Sequence, residues 1–225
     1  MEIYGENMKS KNIMAETASI LLEIQAVKLN PAEPFTYASG IRSPIYCDSR
    51  MILSFPEKRA KIISFFLEAI KQNNLQFDIV CGIATAGIPH AALIAEKLGK
   101  PMIYARSEAK DHGRKNQIEG KLEKGQKVLM VEDLISTGGS SINAVNAVRE
   151  AGGIVENCVA IFTYEMEKAK KAFSDVDNGC RLFTLSNFSA LVETAAESGY
   201  ITAEQKEIIL EWNKEPDIWY GKHFS

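Results

Sequence analysis

The stretch KVLMVEDLISTGGSSINAV, residues 127–145, combines three features that decide the fold. Four apolar residues, Val128–Val131, predict a short buried strand. Two adjacent acids, Glu132 and Asp133, follow this strand, and a turn of hydroxyl and glycine residues, Ser136–Ser141, comes next. The turn opens a predicted helix, so polar groups are expected to gather at the carboxyl end of a buried strand.

The chain around this unit alternates between strands and helices. The predicted strands are Phe77–Gly82, Met102–Ala105, Val128–Val131, Ile154–Thr163 and Arg181–Leu185. The predicted helices are Gly87–Leu98, Gly139–Ala151, Glu165–Phe173 and Asn187–Ser198. Short apolar strands separated by helices are typical of a parallel sheet covered on both faces. We therefore predict an α/β fold with a parallel sheet flanked by helices.

The N-terminal part has a different pattern. A first helix is predicted over Asn12–Lys28, and a second helix over Pro56–Gln72. Between them, Glu33–Arg50 is rich in turn residues, with short extended pieces at Phe35–Tyr37 and Pro44–Cys47. We call Glu33–Arg50 the hood segment, because it predicts a small β layer beside the main sheet.

These patterns divide the chain into three parts. Residues 1–55 form an N-terminal helix and the hood segment, and residues 56–200 form the core. Residues 201–225 form a C-terminal helix, Ala203–Lys214, and an irregular tail that carries Trp219.

Composition excludes several classes of function. The chain has 225 residues, 46% of them hydrophobic, and a net charge of −3, which fits one globular domain. Nucleic acid or a membrane surface as the main partner would favour a basic excess, so we expect neither. The first twelve residues lack the layout of a secretory signal, and we expect a cytoplasmic protein. The four cysteines form no CxxC pair and are expected to be core thiols.

A long polar segment interrupts the alternation. Residues 106–126 are almost devoid of apolar side chains, and a loop of this length inside a compact domain is typical of a lid or of disorder. Five cationic or potentially cationic side chains lie within ten positions, namely Arg106, Lys110, His112, Arg114 and Lys115. We predict a mobile loop that closes over a polyanion.

Two turns are candidate phosphate sites. The carboxyl ends of parallel strands collect ligands, because helix N-termini point out of the sheet there. Thr137–Ser141 offers glycines, hydroxyls and a helix N-terminus, a set that suits a monophosphate. Gly82–Pro89 is a second small-residue turn between a strand and a helix, although such a turn often serves packing alone.

The two acids narrow the choice of ligand. The chain contains neither GxxxxGK[ST] nor GxGxxG, which argues against ordinary nucleoside triphosphate and dinucleotide sites. Carboxylates beside a phosphate would repel it unless they serve another group. A carboxylate accepts two hydrogen bonds from a cis-diol, and its charge stabilises a sugar carbon that becomes cationic. We therefore predict a ribose 5-phosphate, with its hydroxyls on Glu132 and Asp133.

The motif VLMVEDLISTGGS resembles the phosphoribosyl pyrophosphate motif of type I phosphoribosyltransferases. Within that family, FTYASGIRSPIYCDSR and RSEAKDHG are similar to the substrate-side segment and the catalytic loop of orotate phosphoribosyltransferases. The resemblance covers about residues 32–191. It implies transfer of a phosphoribosyl group from phosphoribosyl pyrophosphate to orotate in UMP biosynthesis, Mg²⁺ bound to the sugar diphosphate, and a homodimer. In that dimer, loop 106–120 of one subunit completes the site of the other.

The resemblance also implies roles for individual residues. Lys110 and His112 match loop positions that contact pyrophosphate, and with Asp133 they are the expected catalytic residues. The expected substrate-binding residues are Arg106 in the loop and, in the motif, Glu132, Leu134, Ile135, Ser136, Thr137, Gly138, Gly139 and Ser140. Ser136 stands at the position that also touches orotate. Metal ligation is expected through substrate and water, without a protein cage.

The chain departs from the family at several positions. Many members carry lysine where this chain has Ala38, Ala86 and Ser107.

The arginine that clamps the orotate carboxylate in many members also has no evident counterpart, and Tyr164 or Glu165 stands near its position. We hypothesise that Arg42, in SGIRSP, takes over this contact.

Two other functions compete with this interpretation. The first is a phosphoribosyltransferase for another base, which would share the sugar site and differ in the base pocket. The second is a regulator that senses the sugar diphosphate without turning it over. A regulator would normally carry a basic nucleic-acid surface and has little need for the loop cations, so the sequence favours an enzyme.

Overall fold

A six-stranded sheet forms the centre of the protein, whose structure, a computed structural model, describes residues 8–37, 39–106 and 117–224. The strand order is β10-β9-β8-β5-β6-β7, and every neighbouring pair is parallel except β6 and β7. The strands are β5 (Ile79–Ile83), β6 (Met102–Ala105), β7 (Ile118–Glu119), β8 (Lys127–Ile135), β9 (Ile154–Thr163) and β10 (Arg181–Asn187). The predicted parallel sheet is confirmed.

Eight helices accompany the strands in the described part of the chain. They are α1 (Met8–Glu23), α2 (Pro56–Gln72), α3 (Gly87–Leu98), α4 (Gly139–Glu150), α5 (Glu167–Asp175), α6 (Phe188–Glu197), α7 (Ala203–Lys214) and α8 (Pro216–His223). Side chains of α4 and α5 pack in one apolar cluster, and those of the other six helices pack in a second cluster. Both faces of the sheet are therefore covered.

Alternation along the strands supplies both clusters. In β5, Val80 packs with the larger cluster while Cys81 packs with the smaller one. In β8, Val131 and Met130 divide in the same way. Because successive side chains of a strand point to opposite faces, a strand covered on both sides reads as an unbroken apolar run.

Strand β8 is longer than predicted. The sequence indicated a strand that ends at Val131, but pairing with β9 continues through Leu134↔Phe162 and Ile135↔Thr163. Both acids, Glu132 and Asp133, therefore belong to the strand itself. The prediction ended the strand where the apolar run meets the two acids. Backbone hydrogen bonds to β9 do not depend on side-chain polarity, so the strand continues to Ile135.

The N-terminal part contains two small antiparallel pairs. The predicted first helix is too long at its C-terminus, because α1 ends at Glu23 and the next residues form β1 (Val27–Leu29). This strand pairs with β4 (Ile45–Cys47), while β2 (Phe35–Thr36) pairs with β3 (Arg42–Ser43). A 3₁₀ helix, Ser49–Ser54, then leads into α2. The β layer predicted for the hood segment is confirmed.

The C-terminal tail is a helix, so the prediction of an irregular tail was wrong. Pro216 starts α8, and Trp219 is only 1% exposed. The indole Nε1–H of Trp219 donates to the carbonyl of Ile208 over 2.8 Å, which ties α8 to α7. An anchoring aromatic side chain thus orders a segment whose sequence shows little amphipathic pattern.

Two further observations concern membrane-spanning helices and the state of the cysteines. Within residues 8–37, 39–106 and 117–224, we find no helix that is both long and apolar enough to span a bilayer. All four cysteines are free, and Cys81, Cys158 and Cys180 are buried as predicted. Cys47 is only half-buried, because it lies at the wall of the hollow described next.

Candidate active site

A hollow opens where the strand order reverses. From β5 the chain moves through α3 to β6 on one side, and β8, β9 and β10 then fill the other side. This is the topological switch point, the place where open parallel sheets bind ligands. The residues that line this switch-point hollow are Cys47, Asp48, Ser49, Arg50, Ala84, Thr85, Ala86, Glu132, Asp133, Leu134 and Ser140.

The two acids sit side by side at the floor of the hollow. Glu132 is 6% exposed, and Ser141 at the start of α4 lies 3.5 Å from its Oε2. Asp133 is half-buried, and its carboxylate accepts a hydrogen bond from the Ser49 hydroxyl of the hood segment. Its backbone N–H donates to Glu132 Oε1 over 3.0 Å. The two neighbouring carboxyl groups therefore interact with each other.

The environments of the two acids differ. Burial raises the pKa of Glu132 to about 9, and the neighbouring Asp133 adds to the rise. This rise favours the protonated form of Glu132, whose carboxyl group can donate as well as accept a hydrogen bond. A protonated acid beside the ribose site also removes part of the repulsion toward a phosphate.

The turn after β8 forms a cradle for an anion. Gly138 adopts φ +82° as the N-cap residue of α4, a conformation that favours glycine, and no side chain caps this helix in the described structure. Gly139 faces open space, since a Cβ there would meet nothing within 4 Å. Ser136, Thr137 and Ser140 are exposed around it. Free N–H groups and the helix dipole at such an end favour a phosphate.

The turn after β5 supplies the opposite wall. Ala84, Thr85 and Ala86 line the hollow, and the peptide bond between the first two is cis. Helix α3 begins directly behind them and lies unusually close to β8, because a Cβ added to Gly87 would be 2.4 Å from the carbonyl oxygen of Val131. The small residues of Gly82–Pro89 thus serve both packing and the wall of the hollow.

The end of the hood segment, Cys47–Arg50, lines another side of the hollow. The sequence did not identify these residues as site residues. Arg50 Nε donates to Asp48 Oδ1 over 2.6 Å, and a second bond of 2.9 Å joins NH2 to Oδ2. Hydrogen bonding from Arg50 lowers the pKa of Asp48. The only sequence signal was a polar run, Asp48–Arg50, after a short extended piece.

The structure places the other predicted residues unevenly. Leu134 lines the hollow, but Ile135 is 1% exposed and packs in the core, which leaves only its backbone for a ligand. Arg106 follows β6, and its guanidinium lies 3.6 Å from the Glu119 carboxylate. Lys110 and His112 lie outside the described residues.

Arg42 lies in a different hollow, formed between the hood segment and α8. Its guanidinium donates to Thr36 Oγ1 over 2.6 Å and lies 4.7 Å from the ring centre of Tyr220. The carboxylate of Glu165 accepts the backbone N–H of Ser189 over 2.8 Å, so it is already engaged. The hypothesis that Arg42 holds the orotate carboxylate stays a prediction.

The donor atoms of the hollow suit a hard cation that arrives with its ligand. Asp48, Asp133 and Ser49 offer oxygen atoms, which Mg²⁺ prefers. Among residues 8–37, 39–106 and 117–224, no group of three or more His, Cys, Asp or Glu side chains could hold a metal ion by itself.

Comparison with known proteins identifies the family. A family model described as "Phosphoribosyl transferase domain" matches residues 50–196. The chain is 54% identical to an orotate phosphoribosyltransferase of Coxiella burnetii over 92% of this chain and 99% of the relative. It is 51% identical to that of Listeria innocua over the same shares.

A solved structure agrees with these relatives. The crystal structure of orotate phosphoribosyltransferase from Aeropyrum pernix superimposes with a TM-score of 0.70 at 29% identity, covering 82% of this chain and 99% of the other. The family match begins at the last residue of the hood segment and ends in α6, whereas the relatives match over 92% of the chain. This chain belongs to the orotate phosphoribosyltransferases, within the phosphoribosyltransferase family.

Proposed function

We propose that this protein transfers the 5-phosphoribosyl group of phosphoribosyl pyrophosphate to orotate, giving orotidine 5′-monophosphate and pyrophosphate in UMP biosynthesis. The observation that carries the proposal is the position of Glu132 and Asp133, which lie in the same hollow as an uncapped helix N-terminus. That arrangement offers a diol site and a phosphate site on one short piece of chain. The names of the close relatives supply the base, orotate.

The 5-phosphate would bind at the start of α4. Its oxygens would accept hydrogen bonds from the N–H groups of the first turn and from the hydroxyls of Ser136, Thr137 and Ser140. The ribose hydroxyls would then reach Asp133 and Glu132. This orientation points C1 of the ribose toward the hood segment and the turn 84–86, where the leaving group and the base must lie.

Catalysis would be mainly electrostatic. When the C1–O bond to pyrophosphate breaks, positive charge develops on the ribose and negative charge on the leaving group. Asp133 would stabilise the first, and the loop cations Arg106, Lys110 and His112 would stabilise the second, with Lys110 or His112 able to donate a proton. Orotate N1 can lose its proton without the help of a strong base, so we assign no general base.

Mg²⁺ would accompany the sugar diphosphate. Bound Mg²⁺ supplies charge neutralisation at the diphosphate, and the oxygens of Asp133 and Asp48 are the protein groups able to contact it or its waters.

We further propose a homodimer in which loop 106–120 of one subunit acts in the partner's site. A cytoplasmic location is also proposed, supported by four free thiols that a reducing compartment would preserve.

The first experiment follows the ultraviolet absorbance of orotate with phosphoribosyl pyrophosphate and Mg²⁺. Wild type should consume orotate, Lys110→Ala and Asp133→Asn should each lose most activity, and Asp175→Asn, an exposed acid on α5, should match wild type. Pyrophosphate release with another base but not with orotate would overturn the substrate. No release with any base would favour a sensor of the sugar diphosphate.

The same variants test the shared site. After subunit exchange between Lys110→Ala and Asp133→Asn, about half of the dimers are mixed and each contains one intact site if the loop acts in the partner. Activity should then return to about a quarter of wild type. No recovery would overturn the loop exchange while leaving the substrate untouched.

A further inference from the structure

Tyr164 occupies a buried position next to the phosphate cradle. It is the first residue after β9, and its backbone N–H donates to the carbonyl of Ile135, just before the cradle, over 3.0 Å. Its side chain is 4% exposed and packs edge-on against Phe162 and Trp212, with ring centres 5.6 and 5.8 Å away. The residue beside the cradle is thus a core aromatic side chain with a hydroxyl group to satisfy.

That hydroxyl joins a short chain of hydroxyls in the hood segment. The hydroxyl oxygens of Tyr164 and Tyr37 are 3.2 Å apart, and Tyr37 donates to the carbonyl of Ile45 over 2.8 Å. Ser43 lies 3.0 Å from the Tyr37 hydroxyl and also accepts the N–H of Ile45 over 3.2 Å. A tyrosine has one proton to donate. The Ser43 hydroxyl also lies 2.8 Å from the Ile45 carbonyl, so Ser43, Tyr37 and Tyr164 share one hydrogen-bonded cluster around this carbonyl.

Burial favours the neutral form of both hydroxyls. Desolvation raises the pKa of Tyr164 and of Tyr37 above their ordinary values. The hydrogen bond between the two hydroxyls is therefore a neutral link between the end of β9 and the hood segment.

The link continues into the switch-point hollow. Ile45 begins β4, and the residues after this strand, Asp48 and Ser49, line the hollow. The Ser49 hydroxyl donates to the Asp133 carboxylate. A shift of Ile45 would move both residues with it, because they follow only three and four positions later in the chain. The hood segment therefore takes its position over the hollow partly from Tyr164.

Helix α7 holds the same two parts from behind. The Asn213 side-chain amide donates to the backbone carbonyl of Tyr164. The neighbouring Trp212 donates its indole N–H to the carbonyl of Arg42 in β3 over 3.2 Å. Tyr164 and the hood segment are thus fixed to one another directly and through a shared helix.

We propose that Tyr164 is a positioning residue. Through its hydrogen bond to the hydroxyl of Tyr37, it holds the hood segment in the position that binds the base. This inference rests on the proposed function. In the proposed function, the sugar and its phosphate bind to β8 and the start of α4, and the base lies against the hood segment. Sheet pairing with β9 holds the backbone of β8, and the hood segment reaches it through the hydrogen bond from Ser49 to Asp133. Loss of the Tyr164 hydroxyl therefore weakens binding of the base more than binding of the sugar diphosphate.

Steady-state kinetics of wild type, Tyr164→Phe and Tyr37→Phe test the inference. Each variant keeps its ring and loses one hydroxyl. Tyr164→Phe should raise the KM for orotate about fivefold, the worth of one neutral hydrogen bond. Tyr37→Phe should raise it by at least as much, because it also loses the bond to Ile45. The KM for phosphoribosyl pyrophosphate and kcat should stay within about twofold. Because both variants remove the same bond, the double variant should resemble the worse single variant. Tyr200→Phe, an exposed tyrosine, is the matched control.

Three results would overturn the inference, and they are distinguishable. Failure of wild type to use orotate overturns the proposed function and this inference together. Normal orotate turnover by wild type with an unchanged KM in Tyr164→Phe overturns the inference alone. A fall in thermal stability with equal rises in both KM values would show a merely structural role; if Tyr164→Phe misfolds, Tyr37→Phe decides from the hood side of the same bond.

Discussion

One side of the switch-point hollow comes from a single continuous stretch, whereas the opposite side joins remote parts of the chain. Glu132, Asp133 and the cradle Ser136–Ser141 lie within ten residues on β8 and α4. The hood side depends on bonds such as Tyr37 to Tyr164, which spans 127 positions, and Trp212 to Arg42, which spans 170. Local sequence therefore encodes the sugar-phosphate side, and tertiary packing encodes the base side.

The difference also concerns stiffness. The acids belong to a strand that pairs with β9 as far as Ile135, so their backbone is fixed by a regular ladder. The hood segment has two strands of two residues and one of three, held by short backbone pairings and by side-chain hydrogen bonds. Small perturbations should therefore displace the hood side more readily than the sugar side.

The largest expected effect compares one acid from each side. Asp133→Asn should lower kcat/KM about 30- to 1000-fold, because a charge that stabilises the transition state is lost. Asp48→Asn, in the hood segment, should cost far less, because its carboxylate is already paired with Arg50. Assays of both variants against orotate decide the matter, and equal losses would contradict the contrast between the two sides.

The next largest effect is expected for substitution of Arg42. If its guanidinium holds the orotate carboxylate, Arg42→Ala should raise the KM for orotate about 10- to 100-fold, as expected for a charge-assisted hydrogen bond. Arg42→Lys should recover part of the loss. A normal KM in Arg42→Ala would show that Arg42 only fastens the hood segment to Tyr220 of α8.

The stiffness of the sugar side is tested at Gly87. Gly87→Ala should lower the free energy of unfolding by about 1–3 kcal/mol, because the new Cβ would strike the Val131 carbonyl and part α3 from β8. Gly139→Ala is the matched control, since its Cβ meets open space and should change stability by less than about 0.5 kcal/mol. Denaturant titration measures both, and equal stability of the two variants would refute the close contact.

For Glu132 we expect a smaller effect on stability, which depends on pH. Its pKa rises from 4.5 in the unfolded chain to about 9 in the folded protein. Between these values the unfolded state releases a proton that the folded state keeps, so wild-type stability falls as pH rises. Glu132→Gln should therefore be more stable than wild type by about 1 kcal/mol or more at pH 8, with no advantage at pH 4. Chemical denaturation at several pH values measures this slope, and a slope of zero would contradict a buried, protonated Glu132.

The same contrast explains what the sequence could predict. The strand, the two acids, the turn and the helix of residues 128–151 could be predicted because these elements are adjacent in the sequence. The predicted strand was too short by the four residues Glu132–Ile135. The contact of Ser49 with Asp133 spans 84 positions and has no local signal. Helix α8 and strand β1 escaped prediction for a similar reason, since Trp219 and the partner strand β4 supply order that the local sequence does not show.

The two tryptophans of the chain allow docking of the C-terminal helices to be followed by fluorescence. Trp212 and Trp219 are 0% and 1% exposed, and both lie on the helices that fasten the hood segment from behind. Indole emission shifts to longer wavelength when water reaches the ring, so undocking of α7 or α8 would register without any added label. The chain thus carries its own fluorescent report on whether the hood segment is seated.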